Sequence, residues 1–458
     1  MQPFLEIGQI FITTFMLALV MPIFWIVLFL VFMQYRRQAA TEEKLFGQTI
    51  NQISRQMLFS LGLGALGGLL ASAVLIFLGL SLEQIGLYFI WPVALLLLLI
   101  NPRYLCFSYA GGIVAAAVLI TRHLLVPLLP ELANNFVLAS LLRIHIPALL
   151  VLIGLLHLVE ALLIYVHGDR GSSPMYVKSE SGKVVGAFSL QRFWPLPLVA
   201  LMVTLVSQAE ITGVSMPDWW PILQSVLQPG EGQSLQYMII PVAAGLGYAD
   251  IAFSSRPKER ANFSARWLAV YSLILLVIAI SSEYISWLVL PGVLFAPLGH
   301  ELLILYGKRQ EKTSSPYYEK PDNGVKLMMV LPETDADNAG LKEGDLILKV
   351  NGQEISDNRE MVRLIEDSYF MVLVEGLRGD ESFSTIFKKT PAEYSGVEDS
   401  FQDKLKSHYP PSSLHRSVSF GLIPVPSPDS PVYLEIKKPD PMGRFRRLKN
   451  RLLRKTGS

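Results

Sequence analysis

Apolar runs of roughly 20 residues recur along the first two thirds of this chain, each long enough to cross about 30 Å of hydrocarbon as a helix. Charge is distributed to match. Residues 1–307 carry 15 Lys+Arg and 15 Asp+Glu, whereas residues 308–458 carry 24 and 23. With 51% hydrophobic and 17% charged residues and a mean hydropathy of +0.41, the chain is neither a single soluble globule nor a disordered polymer. The net charge of +1 singles out no class of partner. The single cysteine, Cys106, cannot form an internal disulfide and lies in an apolar run, where it reads as a packing residue.

Strong candidates for spans are residues 10–33, 58–80, 144–166, 235–252 and 267–280; weaker ones are 87–100, 105–120, 193–207 and 285–306. The first run is long and has no small-residue cleavage site after it, so it reads as a retained span. With the N-terminus outside, loops 34–57, 101–104, 167–192 and 253–266 are inside and hold 13 Lys+Arg, against Arg122 and Arg143 outside. By the positive-inside rule, everything after Tyr306 is then cytoplasmic. The expected fold is a polytopic α-helical membrane domain of about eight to nine spans, followed by a small α/β domain and a basic C-terminal tail. Gly62, Gly64, Gly67, Gly68 and Ala71, and likewise Ala110-Gly111-Gly112, provide small surfaces on which helices can approach closely.

Ionisable residues inside spans are the main functional flag of a membrane domain. His157, Glu160, His300 and Glu301 form the expected intramembrane polar cluster. His157 and Glu160 share a helix face at i, i+3. Glu160 and His300 each lie six residues before the cytoplasmic end of their spans, at 166 and 306, so they sit at similar depth. The expectation is a Glu160–His300 clamp between two helices; a metal site or proton relay is the other reading. No metal, cofactor or catalytic residue is expected.

Residues 324–390 read as a compact α/β module. Residues 325–331 form an apolar strand; Gly340 ends a helical turn, Gly344-Asp345 turns into the strand 346–350, and Asn351-Gly352 is a type I′ hairpin signal. Met361, Val362 and Ile365 lie on an amphipathic helix over 358–367, and a hairpin follows over 369–387. The run AGLKEGDLILKVNGQEI resembles the core signature of a bacterial PDZ domain. The resemblance implies a peptide groove between a strand and the helix bearing Met361, Val362 and Ile365. The carboxylate-binding loop that usually precedes the first strand is missing from residues 316–323. Ser419-Phe420-Gly421-Leu422 is loosely like one, but it lies beyond the domain.

Residues 308–323 read as a juxtamembrane linker. Residues 391–443 read as a Pro/Ser-rich linker with at most short strands over 418–425 and 432–437. In the tail 444–458, Arg444, Arg446, Arg447, Lys449, Arg451, Arg454 and Lys455 accompany Phe445, Leu448 and Leu452 on one helical face, the pattern of a basic helix that docks on a membrane surface.

Membrane spans followed by a PDZ domain first suggest a site-2-type intramembrane metalloprotease. That chemistry needs His-Glu-x-x-His, and Ile304 stands where the second histidine belongs. A transporter with a regulatory PDZ domain is another alternative; the deep ionisable groups lie away from the midplane, which counts against it. The order of Asn101-Pro102-Arg103-Tyr104, His157-Leu158-Val159-Glu160, Gly299-His300-Glu301 and then a PDZ domain is similar to the MinJ-like proteins of Gram-positive bacteria. The resemblance implies a non-enzymatic cell-membrane adaptor of cell division. Its implied partners are a DivIVA-type polar scaffold and Min proteins, with the lipid bilayer and without nucleic acid.

Overall fold

The computed structural model describes residues 2–388 and 413–434, except Glu180, Ile211 and 224–226. Helices α1 (Gln2–Val20) and α2 (Pro22–Phe46) meet at a bend of 54°. Pro22 opens α2, where its missing N–H costs nothing. Then follow α3 (Ile53–Leu78), α4 (Leu82–Ile85), α5 (Leu87–Ile100) and α6 (Phe107–Ile120), which runs through a π-turn into α7 (Val126–Leu128). Helices α8 (Phe136–Leu142), α9 (Ile146–His167), α10 (Pro257–Tyr284) and α11 (Val289–Thr313) complete the bundle. Helix α9 is apolar on every side and is the central element, with 72% of its apolar window buried.

Among the described residues, five helical segments are long and apolar enough to cross a bilayer: Ile53–Leu78, Phe107–Leu128, Ile146–His167, Pro257–Tyr284 and Ser286–Thr313. The bent pair α1–α2 brings the number to six if it is one span, and Leu87–Ile100 is a shorter apolar helix. The larger number expected from the sequence included two runs that are not helical. Residues 193–207 and 235–252 belong to β2 (Val184–Ser207) and β3 (Gln233–Ala252), a long antiparallel hairpin paired from Phe188↔Ala252 to Ser207↔Gln233. Strand β1 (Ser173–Lys178) pairs with the base of β2. The prolines explain the departure. Pro195 and Pro197 in β2 and Pro241 in β3 would each cost about 3 kcal/mol inside a helix by removing a donor and clashing with the preceding turn.

Beyond its short pairing with β1, β2 has a free edge, and apolar surroundings demand that its backbone groups be satisfied. The side chains of neighbouring helices and turns do this. Phe193 N–H donates to the Tyr35 hydroxyl at 3.3 Å, Val199 N–H to Ser72 Oγ at 2.8 Å, and Val203 N–H to Glu83 Oε2 at 3.2 Å. Ser81 adds a parallel bridge to Leu201. Pro195 and Pro197 fall on the same edge and have no N–H to satisfy. Their carbonyl oxygens face Gly64 and Gly68 of α3, where a Cβ would collide with them. The small residues of α3 thus receive a strand, not only a second helix.

The C-terminal sheet has the order β8-β7-β5-β4-β9, built from β4 (Val325–Val330), β5 (Leu346–Val350), β7 (Met371–Arg378), β8 (Glu381–Lys388) and β9 (Leu422–Pro424), with β6 (Gln353–Glu354) also on β5. Asn351 (φ 50°) and Gly352 (φ 75°) make the two-residue turn between β5 and β6. Helices α12 (Asp335–Asn338), α13 (Asn358–Glu366) and α14 (Ser413–Ser419) complete this unit. Asp357 caps α13 through the N–H groups of Arg359 and Glu360. Residues 413–424, expected within a linker carrying at most short strands, contribute α14 and edge strand β9, the latter inside the stretch 418–425 where a short strand was expected. Ile423 of β9 is fully buried in a core shared with the membrane helices, which supplies the burial that a linker lacks.

Candidate functional site

The PDZ resemblance implies a peptide groove between a strand and helix α13; helix α14, which leads into edge strand β9, packs against α13. Strand β9 pairs antiparallel with β4, Val330↔Leu422 to Leu327↔Pro424. The loop that enters β9 is Ser419-Phe420-Gly421-Leu422, although it follows the other strands in sequence. Gly421 has φ 86°, and a Cβ there would meet Thr334, so the tight turn requires glycine.

The groove is partly occupied by the chain itself. Phe420 N–H donates to Ser417 O at 3.1 Å and Gly421 N–H to Val418 O at 2.9 Å, so these two loop amides terminate α14 rather than face a ligand. Pro424 has no N–H to offer an incoming strand, and its carbonyl accepts from the Tyr176 hydroxyl of β1 at 2.7 Å. Of the expected groove residues, Met361 and Ile365 are fully buried in the PDZ core. Val362 lines a cavity between α13 and α14 with Arg359, Arg363, Glu366, Ser413 and Arg416. Arg416 bonds Glu366 at 2.9 Å across it. Asp345 is fully buried; it accepts from Lys342 N–H at 2.8 Å and from Arg378 at 2.8 and 2.7 Å, which holds the Gly344-Asp345 turn. The basic residues 444–455 of the expected surface tail lie outside the described residues.

The intramembrane cluster assembles differently from expectation. Among the described residues no hydrogen bond or ion pair joins Glu160 to His300. The equal-depth argument fixed their height but not the rotation of their helices. The ring of His300 instead faces His157, with centroids 5.1 Å apart, and contacts Tyr109 and Tyr271 edge-on. His157 Nδ1 lies 2.7 Å from the Ile153 carbonyl one turn back, and its Nε2 lies 3.1 Å from Cys106 Sγ. Glu301 turns away from the histidines to an ion pair with Arg103 and a hydrogen bond from the Tyr109 hydroxyl at 2.5 Å. Beneath them, Tyr271 donates to the Ala296 carbonyl at 2.7 Å and lies 2.9 Å from Ser108 Oγ.

Cys106, Arg103 and Tyr109 are thus members of the cluster that the residue-by-residue reading missed. The only signal for them was their place between two short apolar runs, next to Asn101-Pro102-Arg103-Tyr104. A second network was missed as well. Arg260 of α10 bonds Asp250 at 2.8 Å and Gly307 O at 3.2 Å, and Glu311 accepts from the N–H groups of Phe253 and Ser254 at 2.8 and 2.7 Å. It ties the end of β3 to α10 and α11.

The PDZ domain family model matches residues 307–365. Relatives extend the likeness well beyond that domain. The cell division topological determinant MinJ of Bacillus subtilis (strain 168) is 26% identical over 377 residues, covering 79% of this chain and 87% of that protein. A probable cell division topological determinant MinJ of Lacticaseibacillus paracasei is 25% identical over 228 residues, 48% of this chain and 56% of its own length. The putative serine protease HhoA of Synechocystis is 36% identical over only 73 residues, 16% of this chain and 18% of that protein, a likeness of the PDZ domain alone. The similarity to the Bacillus protein is too long to be confined to either the helical bundle or the PDZ unit, so the chain, with its PDZ domain, is similar to MinJ over most of its length.

Proposed function

We propose that this protein is a non-enzymatic membrane adaptor that recruits cytoplasmic partners through its PDZ domain in the spatial control of cell division. The observation that carries the reading is the similarity over 79% of the chain to a cell division topological determinant. The proposed partners are a DivIVA-type scaffold and Min proteins. The cavity between α13 and α14, rimmed by Arg359, Arg363 and Arg416, favours acidic segments of such partners.

The distribution of basic residues among the loops supports a cytoplasmic PDZ domain. The β2–β3 hairpin starts and ends beside the same helix ends, so replacing two expected spans by one hairpin leaves the sidedness of loops 167–192 and 253–266 unchanged. A periplasm-type reporter fused after Ser458 that became active would refute this orientation. The tail 444–458 is proposed to bind anionic bilayers, each basic residue contributing about 1 kcal/mol near the surface. Equal affinity of a tail peptide for neutral and anionic vesicles would refute it.

The test of the adaptor role is co-purification of the full chain, expressed in a Gram-positive host, with the host's DivIVA-type and Min proteins. Val362→Asp should abolish their recovery while leaving the protein in the membrane. Undiminished recovery with Val362→Asp and with the PDZ domain deleted would overturn it.

A further inference from the structure

Three side chains from three separate segments converge in the helical bundle: Cys106 at the N-cap of α6, His157 in the middle of α9 and His300 in α11. One donor atom of each lies within 4.8 Å of the other two. Tetrahedral zinc with S and N ligands at about 2.3 and 2.0–2.1 Å needs donor–donor separations of roughly 3.3–3.6 Å. Cys106 Sγ and His157 Nε2 lie 3.1 Å apart, slightly closer than the roughly 3.6 Å that zinc would set between them, and small side-chain rotations would adjust this and the other separations, which are at most 4.8 Å.

The surroundings prepare each group as a ligand. His157 Nδ1–H donates to the Ile153 carbonyl, which leaves the lone pair on Nε2, the atom that faces the thiol. Cys106 Sγ accepts from Ser108 N–H at 3.4 Å at the N-cap of a 14-residue helix, which fixes the sulfur beside His157 Nε2. His300 has no hydrogen bond among the described residues, and its buried Nδ1 has no partner, an unfavourable condition that a metal bond removes. Glu160 lies one turn along α9 from His157 and is likewise without a hydrogen bond or ion pair among the described residues.

We propose that Cys106, His157 and His300, with Glu160 as the fourth ligand, bind a zinc ion that fastens α6, α9 and α11 together, a role separate from partner recruitment. Thiolate and imidazole donors suit zinc rather than magnesium or calcium, which take oxygen. The charges balance too. One thiolate, one carboxylate and two neutral imidazoles around Zn²⁺ sum to zero, the arrangement least penalised in an apolar interior. In the alternative, the thiol simply donates to His157 Nε2 and no metal enters.

The experiment uses the full-length protein in detergent, loaded with zinc, dialysed against metal-free buffer and measured by elemental analysis. About one zinc per chain is expected, with affinity falling at least about tenfold in Cys106→Ser and in His300→Ala. In parallel, wild-type protein stripped with a chelator and titrated with Co²⁺ should develop a thiolate-to-cobalt charge-transfer band. The band should be absent in Cys106→Ser, whose near-isosteric side chain preserves the fold, and its accompanying ligand-field bands should shift in Glu160→Gln. The wild-type titration needs no variant to fold. Wild-type protein that holds no more zinc than a Cys106→Ser/His157→Ala/His300→Ala variant and gives no cobalt band would overturn the proposal. So would full zinc content in both Cys106→Ser and His300→Ala. Cobalt bands unchanged by Glu160→Gln would overturn the assignment of the fourth ligand.

Discussion

The hydroxyl of Tyr176 donates to the carbonyl oxygen of Pro424 at 2.7 Å, and both residues are buried. One belongs to the short strand at the base of the membrane-domain hairpin, the other to the last strand of the PDZ sheet. Backbone bonds reinforce the junction: Gly186 N–H to Tyr318 O at 3.0 Å, Val184 N–H to Pro428 O at 2.9 Å and Leu434 N–H to Tyr176 O at 2.7 Å. The PDZ unit is therefore joined to the hairpin in part through its edge strand β9.

Replacing Tyr176 by Phe removes one hydroxyl and leaves a buried carbonyl without a donor, a loss of about 1–3 kcal/mol. The expected outcome is faster amide hydrogen exchange in residues 422–434 with little change in α9. Unchanged exchange there would show that the junction does not depend on this bond.

Gly68→Val should destabilise the membrane domain, because the new side chain meets the Pro197 carbonyl and separates α3 from β2. Overpacking of this kind costs about 1–3 kcal/mol, and loss of the Ser72–Val199 bond adds to it. A lower thermal midpoint in detergent is expected for Gly68→Val. Gly62→Val, where nothing lies within 4 Å of an added Cβ, should leave the midpoint unchanged.

Arg378→Ala strands the buried Asp345 carboxylate with the Lys342 N–H as its remaining partner. The expected loss is about 2–4 kcal/mol, short of the full range for a wholly buried pair because Arg378 is 41% exposed. The Asp345→Ala/Arg378→Ala double variant should lose less than the sum of the two single losses, measured by thermal unfolding of the full chain. Additive losses would mean that the two do not act as a pair.

No peptidase activity is expected, even in the presence of zinc. Glu301 is held by Arg103 and Tyr109 and is not available as a general base, and Ile304 offers no ligand. Cleavage of a membrane peptide that disappears in Glu301→Gln would contradict this.

Several features could be read from residue order alone because they are local. The partition of charge marked where the apolar bundle gives way to the PDZ unit. Gly344-Asp345 and Asn351-Gly352 announced their turns, since few other residues adopt positive φ at low cost. Asp357 and the apolar spacing after it announced α13. Apolar length misled at 193–207 and 235–252, because a long buried strand and a buried helix are both simply apolar; the prolines at 195, 197 and 241 were the discriminating signal. Other relationships join residues distant in the chain. The PDZ edge strand comes from beyond residue 412, and the loop that enters it lies more than 50 residues after α13. The rotation of α9 and α11 brings His300 to His157 and Cys106 and leaves Glu160 unbonded to His300. Sequence spacing sets the height of a side chain along its helix, but only the packing of one helix on another sets the direction in which it faces, and that direction assembles the cluster.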